Sequence, residues 1–223
     1  MAAVYVAEQL ATELRVALKI LFPQVLASED AVQKFEIEAK IAARVRSENI
    51  VQVLDAGFDE ETRMPFLVME LLEGRPLEDL VVENGPVSVE QTVNYLSQTA
   101  SGLDKAHFHR SRNGAVQPIV HRDLKPENLF LTHRENGEPL IKILDFGIAK
   151  VLTDTAHLSQ EIKGTPLFMA FEQAAGKQIT PQTDVWALGL IAFYLLTGKS
   201  YWRAASNPHA GLPALFAEVL SEP

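Results

Sequence analysis

The stretch His121-Arg122-Asp123-Leu124-Lys125-Pro126-Glu127-Asn128, followed after two apolar runs by Asp145-Phe146-Gly147, decides how this chain is read. An acid, Asp123, is followed two residues on by a cation, Lys125, and five residues on by an amide, Asn128. One loop thus brings a carboxylate, an ammonium and an amide within reach of a single small volume. That set suits phosphoryl transfer, in which a hydroxyl is oriented and relieved of its proton while charge on the moving phosphoryl group is held by a cation and bound metal. Asp145 adds a second carboxylate for metal. Oxygen donors with positions left over for water suit Mg²⁺.

Composition bounds the rest. The 223 residues suffice for one large or two small domains, and a hydrophobic content of 47% excludes disorder. A net charge of -9 with no basic run argues against nucleic-acid binding. ATP remains a possible ligand, because the cations it needs are only local. Cysteine is absent, so no disulfide framework or thiolate zinc site can form, which fits a reducing cytosol. With no signal-peptide pattern at the start, a cytoplasmic location is expected. The longest apolar run, Val185 to Thr197, falls short of the ~20 residues that cross a bilayer and reads as a helix buried in a core. No membrane segment is expected.

Along the chain, Val4-Tyr5-Val6-Ala7 and Arg15 to Leu21 read as strands. The second alternates, so Val16, Leu18 and Ile20 share one face and Ala17, Lys19 and Leu21 the other. Ser28, Glu29 and Asp30 open a helix on which Ala31, Phe35, Glu38, Ala42 and Val45 form one stripe. Glu38 is the only charge on that stripe, and an unpaired buried carboxylate is costly, so the pattern calls for a cation from another element, with Lys19 the candidate. Residues 49–54 and 66–70 read as two further strands. Ser88 and Gln91 form a capping box, followed by an apolar stripe of Val89, Val93, Leu96, Ala100 and Leu103 on a helix reaching about His107. His109 to Gln117 reads as a surface loop. Leu129 to Leu131 and Leu140 to Leu144 read as a hairpin around Asn136-Gly137, which sets Asn128 beside Asp145. His107, His109, His121 and His133 lack metal-ligand spacing.

The first stretch spells HRDLKPEN and the second DFG, and with them the chain resembles bacterial, eukaryotic-like serine/threonine protein kinases. The resemblance implies an α+β, two-lobed fold: a small antiparallel-sheet lobe and hinge over residues 1–72 and a mainly helical lobe over 73–223. Val16-Ala17-Leu18-Lys19 matches the VAIK strand and Glu38 its partner glutamate, a pair that holds the α- and β-phosphates of ATP in the family. The resemblance further implies Met69 at the back of the adenine pocket, with the backbone of Glu70 and Leu72 on the adenine edge. Phe130 is implied as the floor under adenine, and Ala17 with Val4 as its roof. Asp123 is implied as the base, Lys125 on the γ-phosphoryl group, and Asn128 with Asp145 as the Mg²⁺ ligands. Gly164-Thr165-Pro166 and Ala170-Phe171-Glu172 match the end of an activation segment, where Thr165 would bond Asp123 and Lys125. Lys125 and Thr165 point to protein Ser or Thr as acceptor. Arg122 implies a switch by phosphorylation in that segment, with Thr153, Thr155 and Ser159 available. His121 is implied as a packing residue. Asp184-Val185-Trp186-Ala187-Leu188-Gly189 matches DxWxxG, where Asp184 caps its helix or ties it to the catalytic-loop backbone.

The chain departs from the family at three places. The first strand and the glycine-rich GxGxxGxV loop would precede Tyr5; Val4 matches the motif's valine, and Ala2 stands where its last glycine belongs. Phe171 replaces the proline of APE. Glu172 normally pairs with an arginine of the family's last helices, which are expected to be missing here, as Pro213 to Leu220 reads as a final short helix. An orphaned Glu172 would cost about 3–5 kcal/mol if buried. The alternatives are a kinase remnant that binds nucleotide or scaffolds without catalysis, and a small-molecule phosphotransferase, against which Lys125 and the stretch from Gly164 to Glu172 speak.

Overall fold

A computed structural model describes residues 2–21, 39, 43, 45–111, 113–145, 166–207 and 210–221. Glu38, Phe146, Gly147, Thr153, Thr155, Ser159 and Thr165 lie outside the described residues, as do Ser28, Ala31, Phe35 and Ala42 of the helix expected from Ser28.

In the first lobe, β1 (Ala2–Gln9), β2 (Leu14–Leu21), β3 (Val53–Phe58) and β4 (Pro65–Glu70) form an antiparallel sheet in the order β1-β2-β4-β3. Val4 faces Lys19 and Val6 faces Ala17, while Ala17 and Lys19 in turn oppose Met69 and Leu67. Directly opposed residues project to the same side of a sheet, so these six share one face. On that face Leu21, Leu67 and Met69 join Ala39, Val51 and Val53 in a small core, against which Leu72 and Leu144 pack. The alternation read in residues 16–21 thus places Lys19 beside apolar neighbours and toward the second lobe.

The strand expected over residues 49–54 begins only at Val53. The preceding residues leave the first sheet for β7 (Pro139–Ile143): the Val51 N–H donates to the Ile143 carbonyl at 2.9 Å, and the Ile143 N–H to the Asn49 carbonyl at 2.8 Å. Asn49 is buried and its amide donates to the Ile141 carbonyl (3.0 Å) and to Gln98 (3.2 Å). A buried amide needs such partners, and β7 supplies them where the first sheet does not.

The second lobe starts with the two-residue strand β5 (Arg75–Pro76), which pairs with β6 (Leu129–His133), itself paired with β7. Around this small sheet lie α1 (Leu77–Asn84), α2 (Val89–His107) and α4 (Pro181–Thr197), with a core of Leu77, Val81, Tyr95, Leu103, Leu129, Ile141, Ile143, Ala187, Ile191 and Leu195. Ser88 caps α2 as expected, accepting the Gln91 N–H at 3.2 Å.

The buried face of α2 keeps only the later part of the expected apolar stripe, with Leu103 buried and Leu96 packed against the core. Val89 and Val93 are exposed, and Thr92, Tyr95, Thr99, Gly102, Leu103 and Ala106 face the core. The reason is close approach: a Cβ on Gly102 would stand 2.8 Å from Ile143 Cδ1 and 3.1 Å from the Asn49 carbonyl oxygen. Small residues let the helix sit directly on β7, and side-chain size outweighs apolarity.

Helix α4 runs across the apolar stretch seen in the sequence and ends at Gly198, whose φ of +67° suits glycine. It is buried on one side only. Ala187, Leu190, Ile191 and Leu195 are in the core, while Val185, Phe193 and Leu196 are exposed among the described residues. The short α3 (Phe171–Ala174) is tied to α4 by Glu172, which is half-buried and accepts the Thr183 hydroxyl at 2.5 Å. The expected orphaned carboxylate therefore has a partner eleven residues away. Helix α5 (Gly211–Ser221) packs Leu215 and Val219 with Leu190 and Trp202. No described helix is long and apolar enough to cross a membrane.

Candidate active site

The β6–β7 hairpin positions the loop residues. Its turn carries Gly137 at φ +83° and is closed by bonds from Gly137 N–H to the Arg134 carbonyl and from Arg134 N–H to the Glu138 carbonyl, each 2.8 Å. At the other end, the Leu144 N–H donates to the Asn128 carbonyl at 2.8 Å. The residue entering the hairpin and the one leaving it are thereby held side by side, so Asn128 and Asp145 flank one spot. Asn128 closes a 3-10 turn (Pro126–Asn128) and is buried; its amide donates to the Asp123 carbonyl at 2.8 Å and lies 3.4 Å from Asp123 Oδ2. That orientation leaves the Asn128 side-chain oxygen as a donor atom for a hard cation. Together with the Asp145 carboxylate, the oxygen set fits Mg²⁺.

Lys125 Nζ stands 3.5 Å from Asp123 Oδ2, and both side chains are a little over one-third exposed. Lys19, from the opposite lobe, reaches Asp145 Oδ1 at 2.5 Å with its side chain 13% exposed. The alternation of β2 thus ends in an ion pair that spans the two lobes. Arg122 and Asp145 adopt φ of +66° and +55°, a region that L-residues visit rarely. Strain of this kind persists only where surrounding bonds over-determine the backbone, and here they do.

The bonds that hold Arg122 converge on Asp184, 1% exposed at the start of α4. Its Oδ2 accepts the His121 N–H and the ring Nε2 of His107, each at 2.8 Å, and its Oδ1 accepts the Arg122 N–H at 2.9 Å. Of the two expectations for Asp184, the tie to the loop backbone holds. His121 is fully buried; its Nε2 donates to the Leu144 carbonyl at 2.7 Å, which leaves Nδ1 to accept the Asp123 N–H at 3.2 Å. A carbonyl can only accept, so these two bonds define the neutral Nε2–H tautomer. Gln173 completes the frame by donating to the Arg122 carbonyl at 2.8 Å.

On the hinge side, Met69 is buried between its sheet partners Ala17 and Val53. Glu70 ends β4, and Leu72 packs against the small core. Phe130 is half-buried opposite Pro76 and Lys142. Gly74, at φ +146°, crosses so close to β6 that a Cβ would lie 2.1 Å from the Leu131 carbonyl oxygen. Only glycine allows that approach, which brings the hinge down onto Phe130. Val4 is 61% exposed on the same sheet face as Ala17 and Lys19.

Beside the loop, burial pushes the Glu78 carboxyl above its ordinary value, the Tyr194 hydroxyl donates to it and opposes the shift, and Glu127 repels it. The Tyr194 hydroxyl is itself pushed up, chiefly by burial and then by its bond to Glu78.

Asp123, Lys125 and Asn128 are thus gathered in one loop, and Lys19 and Asp145 meet beside it; Glu38 and Thr165 lie outside the described residues. Sequence reasoning missed His107 as a partner of Asp184, Gln173 as a brace, and the pairing of Lys142 with Glu70. The only advance signal was Asp184 in DxWxxG.

Comparison with known proteins agrees with this geometry. A sequence profile of the protein kinase domain family matches residues 1–215. The chain is 41% identical over 203 residues to serine/threonine-protein kinase Pkn1 of Myxococcus xanthus, covering 89% of this chain and 27% of that protein. It is 35% identical over 222 residues to serine/threonine-protein kinase PrkC of Bacillus subtilis, covering 99% and 32%. With serine/threonine-protein kinase PknL of Mycobacterium tuberculosis it shares 34% identity over 205 residues, covering 92% and 48%. The chain therefore spans between about a quarter and a half of these curated relatives. In fold it is similar to the crystal structure of the Mycobacterium tuberculosis PknI kinase domain, with a TM-score of 0.70 at 24% identity over 99% of this chain and 82% of that one.

Proposed function

Because the chain belongs to the protein kinase family, with bacterial serine/threonine-protein kinases among its relatives, we propose that it transfers the γ-phosphoryl group of ATP to a serine or threonine hydroxyl of a protein. The observation that carries the proposal is the cross-lobe pair of Lys19 with Asp145, set beside the loop that holds Asp123, Lys125 and Asn128.

In this reading adenine lies against the hinge, between Ala17 and Val4 above and Phe130 below, with Met69 behind and the backbone of Glu70 and Leu72 at its edge. Lys19, partnered by Glu38, holds the α- and β-phosphates. Asn128 and Asp145 hold Mg²⁺, which when bound neutralises phosphate charge. Asp123 orients the acceptor hydroxyl and takes its proton as the new O–P bond forms and the bond to the ADP oxygen breaks. Lys125 steadies the γ-phosphoryl oxygens through this transfer, and Thr165 braces Asp123 and Lys125. The frame built on Asp184 keeps Asp123 in place before substrate arrives, which is where positioning lowers a barrier. A protein carrying a Ser or Thr acceptor is the partner.

The test combines two measurements on one preparation: thermal stabilisation by Mg-ATP, and release of ³²P from γ-labelled ATP onto a general protein acceptor, followed by phosphoamino-acid analysis. Stabilisation with label on Ser or Thr is expected. Stabilisation without transfer would instead identify a nucleotide-binding scaffold, and label on a small-molecule acceptor alone would move the protein to another class of phosphotransferase.

A further inference from the structure

Arg122, the residue before the expected base, is held at both of its peptide groups, and only one of the two holds comes from Asp184. The Arg122 N–H donates to Asp184 Oδ1 at 2.9 Å, whereas the Arg122 carbonyl accepts the side-chain amide of Gln173 at 2.8 Å. That carbonyl belongs to the peptide joining Arg122 to Asp123, so the second bond fixes the plane from which Asp123 departs. The other end of the same amide, Gln173 Oε1, accepts the Ala170 N–H at 3.1 Å. A backbone carbonyl can only accept and a backbone N–H can only donate, so the two partners define which way the amide points. One side chain thus bridges the stretch before α3 and the loop of Asp123.

The bridge has anchors of its own. Beside Gln173, Glu172 accepts the hydroxyl of Thr183, a residue with no exposed surface that directly precedes Asp184 on α4. At the other end of the stretch, the Leu167 carbonyl accepts the ring N–H of buried Trp202 at 2.8 Å. Two adjacent residues of α4 therefore reach the peptide groups of Arg122 by different routes, Asp184 directly and Thr183 through α3. We propose that Gln173 is a positioning residue for Asp123, which passes the seating of residues 167–170 on to the loop, and that Thr183 keeps it in register through Glu172. The effect on transfer rests on the reading of Asp123 as the base. Arg122 sits at φ +66°, so a bond lost at its carbonyl lets the backbone relax. The 122–123 peptide then turns and carries the Asp123 carboxylate out of line, while the pair of Lys19 with Asp145 is untouched.

Hydrogen exchange read by mass spectrometry on nucleotide-free protein reports the positioning directly. Gln173→Met keeps the length of the side chain and removes its donor and acceptor. Exchange in residues 120–124 is expected to quicken about tenfold in that variant, since the Asp123 N–H then holds His121 Nδ1 less firmly. Counted per nucleotide-binding site, kcat for ³²P transfer is expected to fall about tenfold to a hundredfold, with acceptor KM and Mg-ATP affinity within about twofold of the parent, the pattern of a contact that matters in the transition state alone. Gln173→Glu, whose carboxylate still accepts the Ala170 N–H but has no proton for the Arg122 carbonyl, is expected to lose as much and serves if the methionine variant folds poorly. Thr183→Val is expected to lose about threefold to tenfold in kcat, and Thr183→Ser, which keeps the hydroxyl, less than about twofold. Combining Thr183→Val with Gln173→Met should lower turnover no further than Gln173→Met alone, because both cut one route. Parent-like exchange and kcat in both Gln173 variants, or losses that multiply in the double variant, would overturn the proposal. A parent protein that transfers no phosphoryl group would count instead against the kinase reading, and the exchange measurement, which needs no nucleotide, then decides the positioning role.

Discussion

Asp184 is the residue whose replacement most sharply separates positioning from chemistry. Its carboxylate touches no expected substrate position, yet it accepts three donors in a site closed to water: His107 Nε2–H and the His121 N–H on Oδ2, and the Arg122 N–H on Oδ1. In Asp184→Asn the remaining oxygen can serve His107 and His121 together, and the new NH₂ group then confronts the Arg122 N–H. One unsatisfied donor contact costs about 1–3 kcal/mol. Asp184→Ala strands all three donors and leaves a cavity, so its cost rises to about 3–5 kcal/mol, a large part of a typical total near 5–15 kcal/mol. Both variants also release the peptide of Arg122, which holds φ at +66°. Relaxation there shifts Asp123, and a displacement of ~1 Å can lower turnover roughly a hundredfold. Urea unfolding followed by fluorescence of Trp186 and Trp202 gives the stability, and a phosphoryl-transfer assay gives the rate. The ordering wild type, Asn, Ala is expected in stability, with loss of turnover in both variants. Two variants within about 0.5 kcal/mol of wild type, or an alanine variant no weaker than asparagine, would refute the reasoning.

Other outcomes follow from single contacts. Gly102→Ala is expected to destabilise by about 1–3 kcal/mol despite better helix propensity, because its Cβ meets Ile143 Cδ1, and Ile143→Val in the same chain should recover part of the loss in a double-mutant cycle. Glu78 has a carboxyl raised in the folded state, so its contribution is most favourable below the unfolded value and is lost as pH rises through the folded one. Melting curves of Glu78→Gln should therefore exceed wild type at about pH 8 and converge with it at about pH 4. Lys19→Met removes the partner of Asp145 and is expected to abolish Mg-ATP stabilisation while leaving the melting temperature without nucleotide nearly unchanged, as calorimetry would show.

The parts of this structure legible beforehand are those governed by local rules. Alternation put Lys19 on the cleft side of its sheet, Asn136-Gly137 folded the hairpin, Ser88 capped α2, and Gly198 closed α4. The parts that were not legible depend on fit between distant elements. The face of α2 follows the room left by Ile143 and Asn49, so Gly102 and Thr99 lie inside while Val89 and Val93 lie outside. Ile50 and Val51 carry apolar side chains suited to a strand, but the backbone of residues 49–51 pairs with β7, where the buried amide of Asn49 finds an acceptor. Glu172 finds Thr183 and Glu70 finds Lys142 across separations that no spacing pattern encodes. In the site itself, residue types named the chemistry, whereas the frame from Asp184 to His107 and Gln173 emerged only from the coordinates.

The most direct measurement of the central claim compares Asp123→Asn with the parent protein in paired binding and transfer experiments. The account predicts that the variant binds Mg-ATP as the parent does, because Lys19, Asn128 and Asp145 are untouched, while ³²P transfer to Ser or Thr falls by at least about a hundredfold for want of a group to take the hydroxyl proton. Transfer at the parent rate by Asp123→Asn would contradict it.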